Sequence, residues 1–162
     1  MEETVVREKA VDAACKVGKS MNEEGIHEHY IPMVQRLANG DWFTARVSAC
    51  GMFAVAYQKC AASKTELRRG LQQTFSKLCC DETPMVRRAA AQHLGTFAAV
   101  CEPEYVKTEI MALFQQLTTD EQDSVRLLAV EDCAALGRLL PKVGGVNHCR
   151  LHCRLAWRNS LL

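Results

Sequence analysis

Proline and glycine are scarce in this chain, which holds 4 prolines and 9 glycines among its 162 residues. Both residues interrupt helices, so their scarcity permits long helical segments. Alternation of apolar and polar residues over the length of a strand is also lacking. Segments such as LRRGLQQTFSKLCC and RLLAVEDCAALGRLL instead favour helix. The sequence therefore predicts an all-α fold.

The chain also lacks long apolar runs and a charge excess of one sign. No run approaches the ~18 apolar residues that a membrane span needs, and the net charge is +1. We therefore expect neither a membrane nor a nucleic acid as a partner. The beginning, MEETVVREKAV, has no basic segment followed by an apolar one, so no secretory signal is expected. Nine cysteines without such a signal indicate reduced thiols. They favour a cytoplasmic location, with the nucleus as a second compartment.

Motifs that carry catalysis are missing. The sequence contains no GxSxG, Walker loop, GxGxxG or HExxH, and no recurring carboxylate–histidine spacing. The vicinal pair Cys79 and Cys80 has no second cysteine or histidine pair at zinc-binding spacing. We therefore expect a protein that is not an enzyme and that uses no cofactor or metal.

What the chain does have is a fourfold internal repeat. The segments TVVREKAVDAA, FTARVSACGMF, PMVRRAAAQHL and DSVRLLAVEDC align on a shared arginine at positions 7, 46, 87 and 126. An alanine follows each arginine by three residues, at positions 10, 49, 90 and 129. Apolar or small residues recur at offsets −1, +3, +7 and +10 from the arginine, which trace one stripe of a helix. The stripe predicts an inward-facing surface, with alanine at a close helix–helix approach.

Each of the last three arginines is preceded by an acid. Asp41, Asp81 and Asp120 stand five or six residues upstream, in ANGDWF, CCDETP and TTDEQD, where the preceding helical pattern stops. We interpret these segments as short turns whose acid accepts hydrogen bonds from the free N–H groups of the next helix. The same acids lie within reach of arginines on an adjacent unit. The unit is therefore helix A, turn, helix B, with a period of about 40 residues that resembles the HEAT repeat.

The repeat pattern predicts the domain organisation. Residues 1–141 form a HEAT-repeat α-solenoid of stacked antiparallel helix pairs, about three and a half repeats long. It comprises a helix B remnant at 3–20 and repeats at about 25–61, 63–101 and 103–140. Residues 142–162 break the pattern with a basic, acid-free segment, which we expect to be disordered or to replace the normal continuation.

Three strings permit a closer comparison. GDWFTARVSACGMF, DETPMVRRAAAQHLGTFAAV and DEQDSVRLLAVEDCAAL resemble the scaffolding A subunits of protein phosphatase 2A. The resemblance covers roughly residues 2–141 and corresponds to an N-terminal-to-middle portion of that family. It implies a non-catalytic scaffold that supports holoenzyme assembly by binding an interchangeable regulatory subunit. The repeats that would hold the catalytic subunit have no counterpart here, so that subunit would be contacted only indirectly.

The resemblance also implies which residues contact the regulatory subunit. In that family the contacts come mainly from the turns between helices A and B. Carried onto this sequence, the candidate surface is Asp41, Trp42, Glu82, Pro84, Arg87, Arg88, Glu121, Gln122 and Asp123. Trp42 could instead cap the core between units. Arg87 occupies the repeated slot and could be a structural partner of a neighbouring acid, whereas Arg88 falls outside that slot.

Two other hypotheses remain open at this point. A generic HEAT-repeat protein-binding adaptor would share the architecture without the GDWF and TPMVRR strings. A small helical metalloprotein would use His148, Cys149, His152 and Cys153 of the final segment, because one helical turn separates matching ligands there.

Overall fold

The structure, a computed structural model, describes residues 4–140. Within this range it is helical with no strand, so the all-α prediction is confirmed. Eleven α-helices are described, together with two π-helical stretches, Ile26–Tyr30 and Val106–Ile110. The α-helices are α1 (Thr4–Ser20), α2 (Glu23–Gly25), α3 (Ile31–Ala38), α4 (Phe43–Cys50), α5 (Phe53–Lys59), α6 (Thr65–Cys79), α7 (Pro84–Ala98), α8 (Pro103–Tyr105), α9 (Met111–Thr118), α10 (Asp123–Glu131) and α11 (Cys133–Leu139).

The helices form two stacked layers. One layer holds the A helices, which are α2–α3 with the intervening π-helical stretch, α6, and α8–α9 with the second π-helical stretch. The other layer holds the B helices α1, α4–α5, α7 and α10–α11, in which α7 packs between α4 and α10. This is the HEAT solenoid that the repeat predicted. The limits proposed for the individual repeats remain a prediction, and residues 142–162 lie outside the described range.

The periodic stripe forms the core between the layers. The alanines three residues after the arginine, Ala49, Ala90 and Ala129, are completely buried. A methyl group in this position lets neighbouring helices approach closely, as the pattern predicted. The stripe on α1 behaves differently, because Val6 and Val17 are exposed. Within residues 4–140 no A helix covers that side of α1.

An aromatic cluster joins the first two units. Phe53 from α5, Phe75 from α6 and Phe97 from α7 are all completely buried. The rings of Phe75 and Phe97 stack with centroids 4.2 Å apart, and Phe53 meets Phe75 edge-to-face at 5.5 Å. Such pairs add about 0.5–1.5 kcal/mol to the gain from burial alone. The units are therefore held together by shared core side chains.

A polar network lies at the edge where one unit connects to the next. Glu102 accepts hydrogen bonds from the Tyr57 hydroxyl and from Arg68 Nη2, the latter at 2.6 Å. Gln72 Nε2 donates to the Tyr57 hydroxyl at 2.7 Å, and the Arg68 guanidinium lies over the Tyr57 ring at 4.1 Å. We call these four residues the Glu102 network. They come from all three complete helix pairs, so the network fastens the units along this edge.

A close contact between B helices depends on Gly95. Its N–H donates to Asp132 Oδ2 at 3.0 Å, and a Cβ atom added there would lie 2.6 Å from Asp132 Oδ1. Only glycine admits the carboxylate so close to the helix backbone. Burial raises the pKa of Asp132 to about 6. The hydrogen bond from the Gly95 N–H opposes this increase, and the negative charge of the nearby Glu131 adds to the increase.

Candidate protein-binding ridge

Three turns of four residues lie along the other edge of the solenoid. They connect α3 to α4, α6 to α7, and α9 to α10, at residues 39–42, 80–83 and 119–122. Together with the first five residues of the helix that follows, each turn forms a nine-residue segment. We call the three segments, 39–47, 80–88 and 119–127, the turn ridge.

The arginine of the first unit ties its own turn to the next one. Arg46 Nη1 donates to the carbonyl oxygens of Gly40 and Asp41 at 3.0 and 2.9 Å. Its Nε and Nη2 donate to the two carboxylate oxygens of Asp81 at 2.8 and 3.1 Å. Such bidentate arginine–carboxylate geometry is both strong and directional. The first turn is thereby fixed relative to the second.

The second arginine repeats this arrangement. Arg87 Nη1 donates to the carbonyl oxygens of Asp81 and Glu82 at 2.9 and 3.2 Å. Its Nε and Nη2 donate to Asp120 at 2.7 and 3.1 Å, and Nη2 also reaches Glu121 Oε1 at 3.0 Å. The Arg87 and Asp120 side chains are only 11% and 8% exposed. We call the two arginine–aspartate pairs, Arg46–Asp81 and Arg87–Asp120, the arginine ladder, and each pair one rung of it.

The acids of the ladder also organise the start of the following helix. Asp81 Oδ1 accepts the N–H of Thr83, and Asp120 Oδ1 accepts the N–H of Gln122, each at 2.9 Å. Burial acts to raise the pKa of both carboxyl groups, but their arginine partners and these N–H groups outweigh burial and lower it. Both acids therefore stay ionised near neutral pH. The prediction that Asp81 and Asp120 meet arginines of an adjacent unit is confirmed. The N–H groups that they accept belong to Thr83 and Gln122, the last residues of the turns, rather than to the helices themselves. The Asp41 side chain makes neither contact within residues 4–140, so the prediction is wrong for Asp41.

The third arginine has a different set of partners. Arg126 Nη1 donates to the Asp120 carbonyl oxygen at 2.7 Å, and Nη2 donates to the exposed Asp123 carboxylate. Its Nε is buried and has no hydrogen-bond partner among the residues that the structure describes. The ladder therefore consists of two complete rungs within residues 4–140.

The structure presents the predicted contact residues along this ridge. Trp42 is 78% exposed at the end of the first turn, so it does not cap the core between units. Arg88 and Glu82 are exposed as well, and neither side chain makes an ion pair within the described range. Their charges are therefore available to a partner.

The remaining predicted contacts differ in their accessibility. Asp41, Glu121, Gln122 and Asp123 are exposed, and Pro84 is half-buried as the first residue of α7. Arg87 has its guanidinium engaged in the ladder, as expected for a structural partner of a neighbouring acid. A direct partner contact for these residues stays a prediction.

Three exposed apolar residues of the ridge were missed. Phe43 is 40% exposed, Met85 is 49% exposed and Leu127 is 62% exposed. The available signal was their offset from the repeated arginine, −3 for Phe43, −2 for Met85 and +1 for Leu127, which lies outside the buried stripe. Single exposed apolar residues are common on protein surfaces, so it is their occurrence in every segment of one ridge that marks a surface which a partner could cover.

Other kinds of site are not found in the described part of the chain. In residues 4–140 no three histidine, cysteine, aspartate or glutamate side chains are arranged to hold a metal ion. No helix of that range has both the length and the apolar character to cross a membrane. The proposed ligands His148, Cys149, His152 and Cys153 lie outside the described residues.

Known proteins resemble the chain at two levels. A family model for the HEAT repeat matches residues 71–101. The probable serine/threonine-protein phosphatase PP2A regulatory subunit of Caenorhabditis elegans is 50% identical over 143 residues, 88% of this chain and 24% of that protein. The alpha isoform of the 65 kDa regulatory A subunit of serine/threonine-protein phosphatase 2A from Arabidopsis thaliana is 59% identical over 112 residues, 68% of this chain and 18% of that protein.

A third relative has a name that states a scaffold role. The protein phosphatase 2A scaffold subunit of Dictyostelium discoideum is 53% identical over 113 residues, 70% of this chain and 19% of that protein. The chain thus spans no more than about a quarter of the length of the curated relatives it matches. These relatives are named regulatory or scaffold subunits, which fits a protein that is not an enzyme. The chain therefore belongs to the HEAT-repeat proteins, and most of its length matches a segment of the scaffolding A subunit of protein phosphatase 2A.

Proposed function

We propose that this chain is a non-catalytic scaffold that binds a regulatory subunit of protein phosphatase 2A through its turn ridge. The observation that carries the proposal is the combination of exposed side chains with a rigid support beneath them. Trp42 projects from the end of the first turn and Arg88 from the first five residues of α7, directly after the second turn. The arginine ladder holds these turns in fixed relative positions. Preorganised groups of this kind lose little entropy on binding.

The chemistry of these two residues suits a protein interface. Tryptophan and arginine are the residue types that most often dominate interface energetics. Trp42 offers a large apolar side chain in the first segment of the ridge, and Arg88 offers a planar, always charged hydrogen-bond donor in the second segment. The ridge is extended rather than enclosed, so it suits a protein surface better than a small molecule.

The role extends to assembly and location. By holding a regulatory subunit, the chain would support assembly of the phosphatase holoenzyme, with the catalytic subunit contacted indirectly. The expected compartment is the cytoplasm, with the nucleus as a second one. Imaging of the tagged chain in cells measures the location directly, and an exclusively secreted product would contradict it.

The binding proposal is tested with purified proteins. The chain is titrated with recombinant phosphatase 2A regulatory subunits, and the affinity is compared with those of Trp42→Ala and Arg88→Glu. Truncation of a hot-spot residue typically costs ~2 kcal/mol or more, which corresponds to about thirtyfold weaker binding. Glu28→Lys is the matched control, because Glu28 is exposed on an A helix, away from the turns. A folded chain that binds none of the regulatory subunits would refute the proposal.

A further inference from the structure

The turn ridge carries an exposed apolar side chain in each of its three segments. Trp42 and Phe43 supply it in the first, Met85 in the second and Leu127 in the third. Offsets −2 and +1 are three residues apart, so the positions held by Met85 and Leu127 face the same side of their respective B helices. That side lies away from the buried stripe. Phe43 stands at offset −3, one helical turn before the +1 position of its own helix, so Phe43, Met85 and Leu127 form one apolar row across the ridge, with Trp42 beside Phe43 at the end of the first turn.

The charges around this row are predominantly negative. The turn ridge contains six carboxylates and four guanidinium groups, a net charge of −2. Three of the four arginines are engaged in hydrogen bonds to the turns, which leaves Arg88 as the exposed cation of the ridge. A basic partner is therefore complementary, because opposite potentials favour encounter and fix orientation.

The spacing of the row indicates the shape of the partner. Packed helices lie about 8–10 Å apart, so successive B helices place one apolar contact at about that interval. Seven residues of an α-helix span about 10.5 Å, at 1.5 Å per residue. A partner helix whose apolar residues recur at every seventh position would therefore present one apolar side chain to each unit when it lies across the B helices.

We propose that the turn ridge receives a basic amphipathic helix of its partner, with apolar side chains at every seventh position, lysines or arginines facing the ridge carboxylates and one acid facing Arg88. The proposal rests on the function proposed above and specifies the chemistry of the regulatory-subunit segment that docks. Trp42 and Phe43 mark one end of the apolar row that this helix covers, and Leu127 marks the other. Met85 and Leu127 become specificity-determining contacts.

The experiment measures the affinity of the chain for a recombinant regulatory subunit. Met85→Ser and Leu127→Ser are combined, and Glu82→Lys is made separately. We expect the apolar double variant to bind about tenfold more weakly or worse, because both contacts lie in the row. Glu82→Lys should weaken binding and reduce its dependence on ionic strength. Val17→Ser and Glu28→Lys are the controls, as they change the same chemistry on surfaces away from the ridge.

Hydrogen exchange of the regulatory subunit then identifies the segment that the chain protects. A protected helix with basic residues and an apolar residue at every seventh position supports the proposal. Protection of an acidic or non-helical segment overturns it, as does unchanged affinity of the Met85→Ser, Leu127→Ser variant. If the Met85→Ser, Leu127→Ser variant binds with unchanged affinity while Trp42→Ala binds more weakly, the helix proposal fails and the proposed function stands. A complete lack of binding by the unsubstituted chain would refute both.

Discussion

Replacement of Asp120 by alanine tests whether the arginine ladder holds the solenoid together. The substitution removes the Asp120 carboxylate, whose two oxygens accept from Arg87 and one of which also accepts the Gln122 N–H. Loss of one partner from a largely buried ion pair costs about 3–5 kcal/mol. Arg87 keeps the carbonyl oxygens of Asp81 and Glu82 and the Glu121 carboxylate. We therefore expect the free energy of unfolding to fall by about 3 kcal/mol, the lower end of that range.

The measurement is urea unfolding followed by far-ultraviolet circular dichroism near neutral pH. Asp120→Asn should lose less, about 1–2 kcal/mol, because it keeps an acceptor for the Gln122 N–H. Asp123→Ala is the matched control, since the Asp123 side chain is 92% exposed in its contact with Arg126. An exposed pair contributes little, so this variant should change stability by less than about 0.5 kcal/mol.

The pH dependence gives an independent check. The folded-state pKa of Asp120 lies below its ordinary value of 3.8. Its contribution is therefore fully present above that value and is lost as the pH falls through the folded-state pKa. The stability difference between Asp120→Ala and the unsubstituted chain should shrink correspondingly in acid. If Asp120→Ala costs no more than Asp123→Ala, the ladder does not stabilise the fold as argued.

Three other predictions concern buried groups. Asp132→Asn should raise stability near neutral pH by at most about 3 kcal/mol, because the shift of its pKa from 3.8 to about 6 destabilises the ionised folded form. This gain in stability should diminish as the pH falls from above 6 towards 3.8, and urea unfolding at several pH values measures it. A gain that does not depend on pH would contradict the raised pKa of Asp132. Gly95→Ala should cost about 1–2 kcal/mol despite the helix propensity of alanine, since its Cβ meets the Asp132 carboxylate. Asp132→Ala introduced together with Gly95→Ala should restore most of the lost free energy of unfolding. If it does not, the contact with Asp132 is not the cause of the destabilisation. Among Cys50, Cys79 and Cys80, maleimide labelling followed by mass spectrometry should modify the exposed Cys80 first. Cys50 and Cys79 should react only on unfolding, because burial raises the pKa of both thiols; rapid labelling of Cys79 would contradict its burial.

The repeated residues predicted most of the fold. Arginine and alanine recur at a fixed offset in four segments, and an acid precedes three of the arginines by five or six residues, so weak local signals combined into one strong one. That pattern yielded the helix pairs, the burial of Ala49, Ala90 and Ala129, and the pairing of Asp81 and Asp120 with arginines of an adjacent unit. Such contacts are predictable because each unit has to bury the same face against its neighbours.

Features that occur once were not predictable in this way. Asp132 fits against Gly95 at one junction only, and the Glu102 network has no equivalent at the other units within residues 4–140. The exposure of Met85 and Leu127 was missed because their offsets carry no consistent residue type across the units: Val5, Thr44 and Ser124 stand at −2, and Glu8, Val47 and Arg88 at +1. The exposed stripe of α1 was also missed, because periodicity indicates which face is apolar and not whether a helix covers it.

The two polar edges of the solenoid determine how it can bend. Charged hydrogen bonds of the arginine ladder run along one edge, and the Glu102 network fastens the opposite edge at a single place. A bend that lengthens the ladder edge must stretch bidentate bonds at each rung. A bend that lengthens the opposite edge stretches the hydrogen bonds of the Glu102 network. Elsewhere along that edge apolar surfaces move past each other, and such contacts resist bending much less than charged hydrogen bonds do. We therefore expect the solenoid to bend more easily in the direction that lengthens the edge of the Glu102 network than in the direction that lengthens the ladder edge.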